Sequence, residues 1–245
     1  MRDTSKFGLL SPMSVADMSR CMICSAKSYN ACGALDQASL PRLAALAHLK
    51  TFKAGETLFY EGAAANTVYQ LTSGQVRLTR DLRNGRRQIV GFKFEGDMID
   101  QADGDHYSCS AEAISDVKAC RFERNQFTAL GAENPELARR LLQISSVELA
   151  EMQEHISALA QPAATNRLAA FLLLISHAAA RHRRPDNPIE LPMRRADIAD
   201  FLGMAVETVS RSFTRLKDLG LINIEGTQLI RILDFAKLRD YDDKE

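Results

Sequence analysis

The sequence predicts an α+β chain: an N-terminal antiparallel β-roll, one long dimerisation helix, and a C-terminal winged helix-turn-helix. Three observations carry this. Glycines at 55, 62, 74, 85, 96 and 104 separate short β-rich pieces at intervals of 7, 12, 11, 11 and 8 residues, the rhythm of turns in a small roll or barrel. Residues 134–160 then lack glycine and repeat apolar residues at heptad spacing. Finally, Ala199, Gly203 and Val209 stand 4 and 6 residues apart in an amphipathic segment, as a helix-turn-helix requires.

Length and composition allow this plan. The chain has 245 residues, 46% apolar and 25% charged, with a formal net charge of zero; that is ordinary globular material with room for two modest domains. The longest apolar stretch, Leu168–Ala180, is interrupted by Ser176 and His177 and is too short to span a bilayer. The N-terminus, MRDTSKFGLLSPMS, has no continuous apolar core, so no signal peptide or membrane partner is expected and the chain is placed in the cytoplasm. From Gln161 to Arg239 there are 12 Lys and Arg against 8 Asp and Glu, a surplus largely hidden by Asp240, Asp242, Asp243 and Glu245 against Lys244. A local basic excess suits contact with phosphates.

Residues 1–48 read as a cysteine-bearing arm followed by a short helix, Pro41–His48. Residues 49–133 form the roll, with strands expected at Thr57–Tyr60, Val68–Leu71, Gln75–Thr79, Gln88–Phe94, Cys109–Ile114 and Val117–Phe122. Residues 134–161 form the long helix. Along it Ala138, Leu142, Ser145, Leu149, Met152, Ile156 and Leu159 alternate spacings of 4 and 3, a seam that implies a parallel homodimer. A second line, Leu137, Leu141 and Ile144, is expected to pack on the roll. Pro162 ends the helix and opens the last domain, residues 162–245.

In that domain a first helix containing Asp197, Ile198, Phe201 and Leu202 needs a small residue at the crossing, Ala199, and a glycine in the turn, Gly203. The second helix, Val206–Leu219, turns Val209, Phe213 and Leu216 inward. Leu221–Ile224 and Leu229–Ile232 make a two-stranded wing around Glu225 and Gly226. This leaves Glu207, Thr208, Ser210, Arg211 and Arg215 facing outward, where a recognition helix meets double-stranded DNA in the major groove. Glu207 can accept from a cytosine amino group and Arg211 can grip guanine with both arms of its fork. Thr208, Arg194, Arg195 and Arg215 are cast as phosphate contacts, which position without specifying. The plainer reading is that Glu207 and Arg211, four apart, form a surface ion pair.

Five cysteines stand at 21, 24, 32, 109 and 120. Clustered cysteines in such a chain point to metal or redox chemistry rather than a disulfide framework. Cys21, Cys24 and Cys32 supply three soft donors on a flexible arm, with a fourth from Cys109 or Cys120; the spacing suits iron–sulfur or zinc alike. Direct thiol oxidation at Cys109 or Cys120 is a further possibility.

The run from Lys53 to Met98, KAGETLFYEGAAANTVYQLTSGQVRLTRDLRNGRRQIVGFKFEGDM, resembles the cyclic-nucleotide-binding-like β-roll of the CRP–FNR regulators. The string VETVSR, Val206–Arg211, resembles the recognition helix of their FNR-type members. That resemblance implies that Glu207, Ser210 and Arg211 read a TTGAT half-site. It also implies an oxygen-sensing 4Fe–4S cluster on Cys21, Cys24, Cys32 and Cys120, since Cys120 matches the family's distant ligand and Cys109 does not. Loss of the cluster in oxygen is then expected to free the arm and weaken the dimer. Some members carry an acid at the seam position occupied here by Met152, although Glu148 and Glu151 lie nearby. The loop Arg80–Arg87 corresponds to a surface that contacts RNA polymerase, or else is a plain solvated hairpin tip. Family members that bind cAMP carry Gly-Glu and Arg-Ser where this chain has Asp100-Gln101-Ala102 and Tyr107-Ser108. Asp100, Asp103 and Asp105 would repel a cyclic phosphate, so no cyclic nucleotide is expected. Histidines at 48, 106, 155, 177 and 182 show no HExxH spacing, and no GxSxG or phosphate loop appears. His106 near Cys109 is a poor nucleophile–base pair, so no enzyme activity is expected.

Overall fold

The computed structural model describes residues 21, 24, 30–182, 187–226 and 228–241. The expectations for the N-terminal 20 residues and for the acidic tail beyond residue 241 lie outside them.

The arm enters through a 3-10 turn, Ala31–Ala34, whose Asn30 side chain accepts from the Cys32 N–H at 2.9 Å. Helix α1 (Leu40–Leu46) follows, with Pro41 in its first turn, where a missing N–H costs nothing. It ends before His48, because His48–Phe52 is strand β1, pairing with β10 (Val117–Glu123). The other roll strands are β2 (Thr57–Phe59), β3 (Thr67–Ser73), β4 (Val76–Asp81), β5 (Arg87–Lys93), β6 (Met98–Ile99), β7 (Ala102–Asp103), β8 (His106–Tyr107) and β9 (Ser110–Ala113). They form two four-stranded antiparallel sheets, ordered β1-β10-β3-β6 and β2-β9-β4-β5, beside the β7-β8 ribbon. Gly74 closes the β3–β4 turn at φ +85°, and a Cβ there would stand 2.3 Å from the Asp116 carbonyl oxygen; only glycine fits. Between the sheets lie Leu58, Phe59, Tyr69, Leu71, Val76, Leu78, Ile99 and Tyr107. Phe59 and Tyr107 stack with centroids 3.8 Å apart, so the chain's own rings fill this interior.

The stretch assigned to the end of the roll contains a helix, α2 (Arg124–Glu133), which buries Phe127 and Leu130. Their spacing of three is helical, but two apolar residues among polar ones make a faint stripe. Helix α3 (Pro135–Leu159) starts from Asn134, whose side chain accepts from the Leu137 N–H at 3.0 Å, a side-chain cap of the usual kind. Its second apolar line packs less on the roll sheets than on an intervening layer. Leu137, Leu141 and Ile144 meet Ala31, Leu35, Leu40, Leu43, Phe122, Phe127 and Leu130.

The apolar stretch at Leu168–Ala180 is most of helix α4 (Ala164–Arg181), buried through Leu168, Phe171, Leu172 and Ile175. No described helix is long and apolar enough to cross a membrane. Helices α5 (Arg195–Leu202) and α6 (Val206–Asp218) form the helix-turn-helix. The wing has three strands: β11 (Ile189–Glu190) pairs with β13 (Leu229–Ile232), which pairs with β12 (Ile222–Glu225). Helix α7 (Phe235–Arg239) closes the fold. The C-terminal core runs on into the roll, since Ile89 and Phe94 belong to it and Phe92 packs against it.

Candidate nucleic-acid interface and thiol cluster

Local chemistry sets the angle between α5 and α6. Asp197 accepts from the Arg194 N–H at 2.9 Å and so caps the start of α5. Gly203, at φ +62°, ends α5 in the left-handed conformation that side chains resist. The Met204 N–H then returns to the Ala199 carbonyl at 2.9 Å. Ala199 and Val209 are buried at the crossing, as the sequence predicts. Helix α6 turns Val209, Ser212, Phe213 and Leu216 inward and leaves Glu207, Ser210, Arg211 and Arg215 exposed, with Thr208 half-buried.

On this face the Ser210 hydroxyl donates to the Val206 carbonyl at 3.1 Å, and Arg211 Nη2 donates to Thr208 Oγ1 at 3.3 Å. Among the described residues no ion pair joins Glu207 to Arg211, so both head groups are presented outward rather than to each other. Arg194 is exposed beside α5. Arg195 is placed differently from the other proposed phosphate contacts: its guanidinium lies 3.3 Å over the Phe213 ring, a cation–π contact, and burial lowers its pKa.

The proposed seam is uncovered in the single chain. Leu142 is 70% exposed, Leu149 58%, Met152 59%, Ile156 61% and Leu159 38%, and Ser145 is exposed with them. Glu148 and Glu151 do not face this stripe: they ion-pair with Lys93 of β5 and with Arg181 of α4. Sequence reasoning missed this junction, which also holds Asp97 and His182 at 2.7 Å and His155 stacked 3.7 Å from Phe201. Its members lie 30 to 85 residues apart wherever they pair, and only the folded chain brings them together.

Three cysteines converge on the first turns of α3, and Cys24 lies near two of them, Cys32 and Cys120. Cys21, Cys32 and Cys120 pack against the apolar layer that includes Leu137, Leu141 and Ile144. Burial, and then the nearness of Cys120, Cys21 and Cys24, push the Cys32 thiol up to about 12; burial, Cys21 and Cys24 do the same to Cys120, also to about 12. Cys109 lies in the separate core of the roll, just before β9, its thiol pushed up to about 11 by burial and Glu61. The arm cysteines are thus brought to Cys120 and not to Cys109. As placed, no three His, Cys, Asp or Glu side chains among the described residues close round a metal ion. The donor set fits a soft cation all the same. Cys32 and Cys120 resist ionisation, and a cation that neutralises the crowded thiolates removes that resistance.

A β-roll, a long helix with an open apolar stripe, and a helix-turn-helix with an exposed polar face define a two-domain DNA-binding regulator. Residues 49–134 match the family model described as "Cyclic nucleotide-binding domain", and residues 166–241 match "Crp-like helix-turn-helix domain". The chain is 36% identical to the nitrogen fixation regulation protein FixK of Bradyrhizobium diazoefficiens, covering 83% of this chain and 86% of that protein. It is 37% identical to the transcriptional activatory protein AadR of Rhodopseudomonas palustris, over 86% and 88% of the two chains, and 30% identical to the transcriptional activator FnrL of Cereibacter sphaeroides, over 89% and 90%. The solved structure of FixK2 from Bradyrhizobium japonicum matches with a TM-score of 0.73 and 30% identity, covering 81% of this chain and 98% of that one. The chain belongs to the CRP–FNR family of transcription regulators.

Proposed function

We propose that this regulator is an oxygen-responsive transcription activator, which reads paired TTGAT-type half-sites as a homodimer and contacts RNA polymerase through Arg80–Arg87. The observation that carries the oxygen reading is the packing of Cys21, Cys32 and Cys120 against the start of α3, with Cys24 close to Cys32 and Cys120. These four would hold a 4Fe–4S cluster, which when bound supplies an oxygen-labile tie between arm and roll. The printed names of AadR and FnrL support the activator role.

The chain's own residues explain why the arm matters to dimerisation. Arg140 of α3 reaches the Asn30 carbonyl at 3.5 Å, and Leu137 of α3 is fully buried beneath the arm. An arm held to Cys120 buttresses the first turns of α3, and with them the seam that begins at Ala138. Two recognition helices joined by this seam meet two half-sites about one helical turn apart, and binding both together multiplies affinity.

The decisive experiment is anaerobic purification followed by visible absorption and by iron, sulfide and zinc analysis, before and after air. A broad band in the region of about 400–420 nm, typical of thiolate-bound iron–sulfur groups, that bleaches in air with a fall in affinity for a TTGAT palindrome supports the reading. A colourless protein with one zinc per chain makes the four cysteines a structural staple, and one with no metal removes the cluster from the account. Neither of these touches the DNA-binding assignment.

A further inference from the structure

The outer face of the β2-β9-β4-β5 sheet carries a buried charged group that neither core packing nor the DNA-reading face explains. Arg77 of β4 lies directly across from Glu112 of β9 and binds its carboxylate with two guanidinium nitrogens, Nε at 3.3 Å and Nη2. Arg87 adds a bond to the same carboxylate at 2.9 Å. Held this way, the Arg77 fork has its plane fixed and one nitrogen left over. That nitrogen, Nη1, donates across the domain boundary to Asp197 Oδ1 at 2.6 Å. The side chains of Arg77 and Asp197 are 13% and 7% exposed, so solvent does little to screen the pair.

Asp197 is the residue whose other oxygen caps α5. One carboxylate therefore both starts the first helix of the helix-turn-helix and ties that start to the sensor roll. Gln88 of β5 fixes the far end of the same helix through the Asp200 carbonyl. Since α6 follows α5 through the single Gly203 turn, whatever orients α5 on the roll orients the recognition helix. The tied conformation leaves Glu207, Ser210 and Arg211 exposed, so the tie does not cover the reading face.

We propose that the Glu112–Arg77–Asp197 bridge is a positioning device for DNA recognition: it sets the orientation of each recognition helix relative to the roll and dimer helix, and hence the spacing of half-sites the dimer accepts. This rests on the DNA-binding reading, and the roles are separable. Arg77 touches no base; it acts through α5.

The test is fluorescence anisotropy with duplexes carrying two half-sites at a series of spacings, and with a duplex carrying one half-site alone, for the full chain and for R77Q and D197N. The wild type should prefer one spacing. R77Q should lose about tenfold at that spacing, the scale expected for one charge-assisted bond, and should show a flatter spacing profile. Its binding to the single half-site should be unchanged. D197N retains an amide oxygen that can still cap α5, so it should fold and reproduce the flattened profile even if R77Q does not fold. A wild-type spacing profile in folded D197N, or in folded R77Q, overturns the proposal. A wild-type protein that binds none of the duplexes instead sinks the DNA reading on which the proposal rests.

Discussion

Arg211 stands on the open side of α6 with its guanidinium steadied 3.3 Å from the Thr208 hydroxyl, and replacing it by alanine should cost ~1–3 kcal/mol of specific binding. Anisotropy against half-sites altered one base at a time checks this: R211A should lose discrimination at one position, whereas R194A should weaken all sequences alike and reduce the salt slope by about one. Among the cysteines, C120S should abolish metal content in protein purified without oxygen, and C109S should leave it intact; elemental analysis of the two variants separates them. At Asp97 burial alone would raise the pKa, but the hydrogen bond with His182 and the Lys93 charge outweigh it and hold the carboxyl below its usual range. A depressed carboxyl contributes stability that is complete above the unfolded value and disappears as the pH falls through the folded one. Acid denaturation starting below about pH 4 should therefore be shallower in D97N, which should also melt lower at pH 7. The reading of Cys120 over Cys109 needed the family resemblance, because both lie far along the chain from the arm and spacing alone does not rank them. The folded chain separates them: Cys120 is on β10 beside the arm layer, and Cys109 faces the core between the sheets.

At the scale of elements, what the sequence shows best is what local geometry demands. A helix-turn-helix needs a small residue, a left-handed glycine and an inward apolar residue at set intervals, so Ala199, Gly203 and Val209 could be found without neighbours. The long helix and its seam are legible for the same reason, as a strict period. Helix α2 was not, because only Phe127 and Leu130 of its residues are large and buried; nor was β11, two residues whose strand character comes from pairing with β13. The seam has an energetic corollary. Met152 is 59% exposed on an apolar stripe, and the nearby acids are drawn to Lys93 and Arg181. A charge placed at that position should weaken self-association by at least about tenfold, since an unpaired carboxylate resists burial. Sedimentation equilibrium of M152E against the wild type, both without metal, measures it, and equal dissociation constants would remove α3 from the dimer interface.

At the scale of the whole molecule, the roll is joined to the long helix and to the DNA-binding domain by contacts that no linear motif announces: Lys93 with Glu148 of α3, Asp97 with His182, and Arg77 with Asp197 across 120 residues. Such pairs depend on how two domains dock, which is why the fold class was readable and the coupling between its parts was not. The two halves also share apolar material. Ile89 and Phe94 of the roll lie in one cluster with Phe171, Phe201, Leu202 and Phe213, and Phe92 packs 5.2 Å from Phe201, centroid to centroid. Modularity therefore has a boundary other than the one at Pro162. Grafting the C-terminal segment onto a foreign sensor would leave part of its interior behind in the donor, and a chimera that travels well has to carry the β5 strand as luggage.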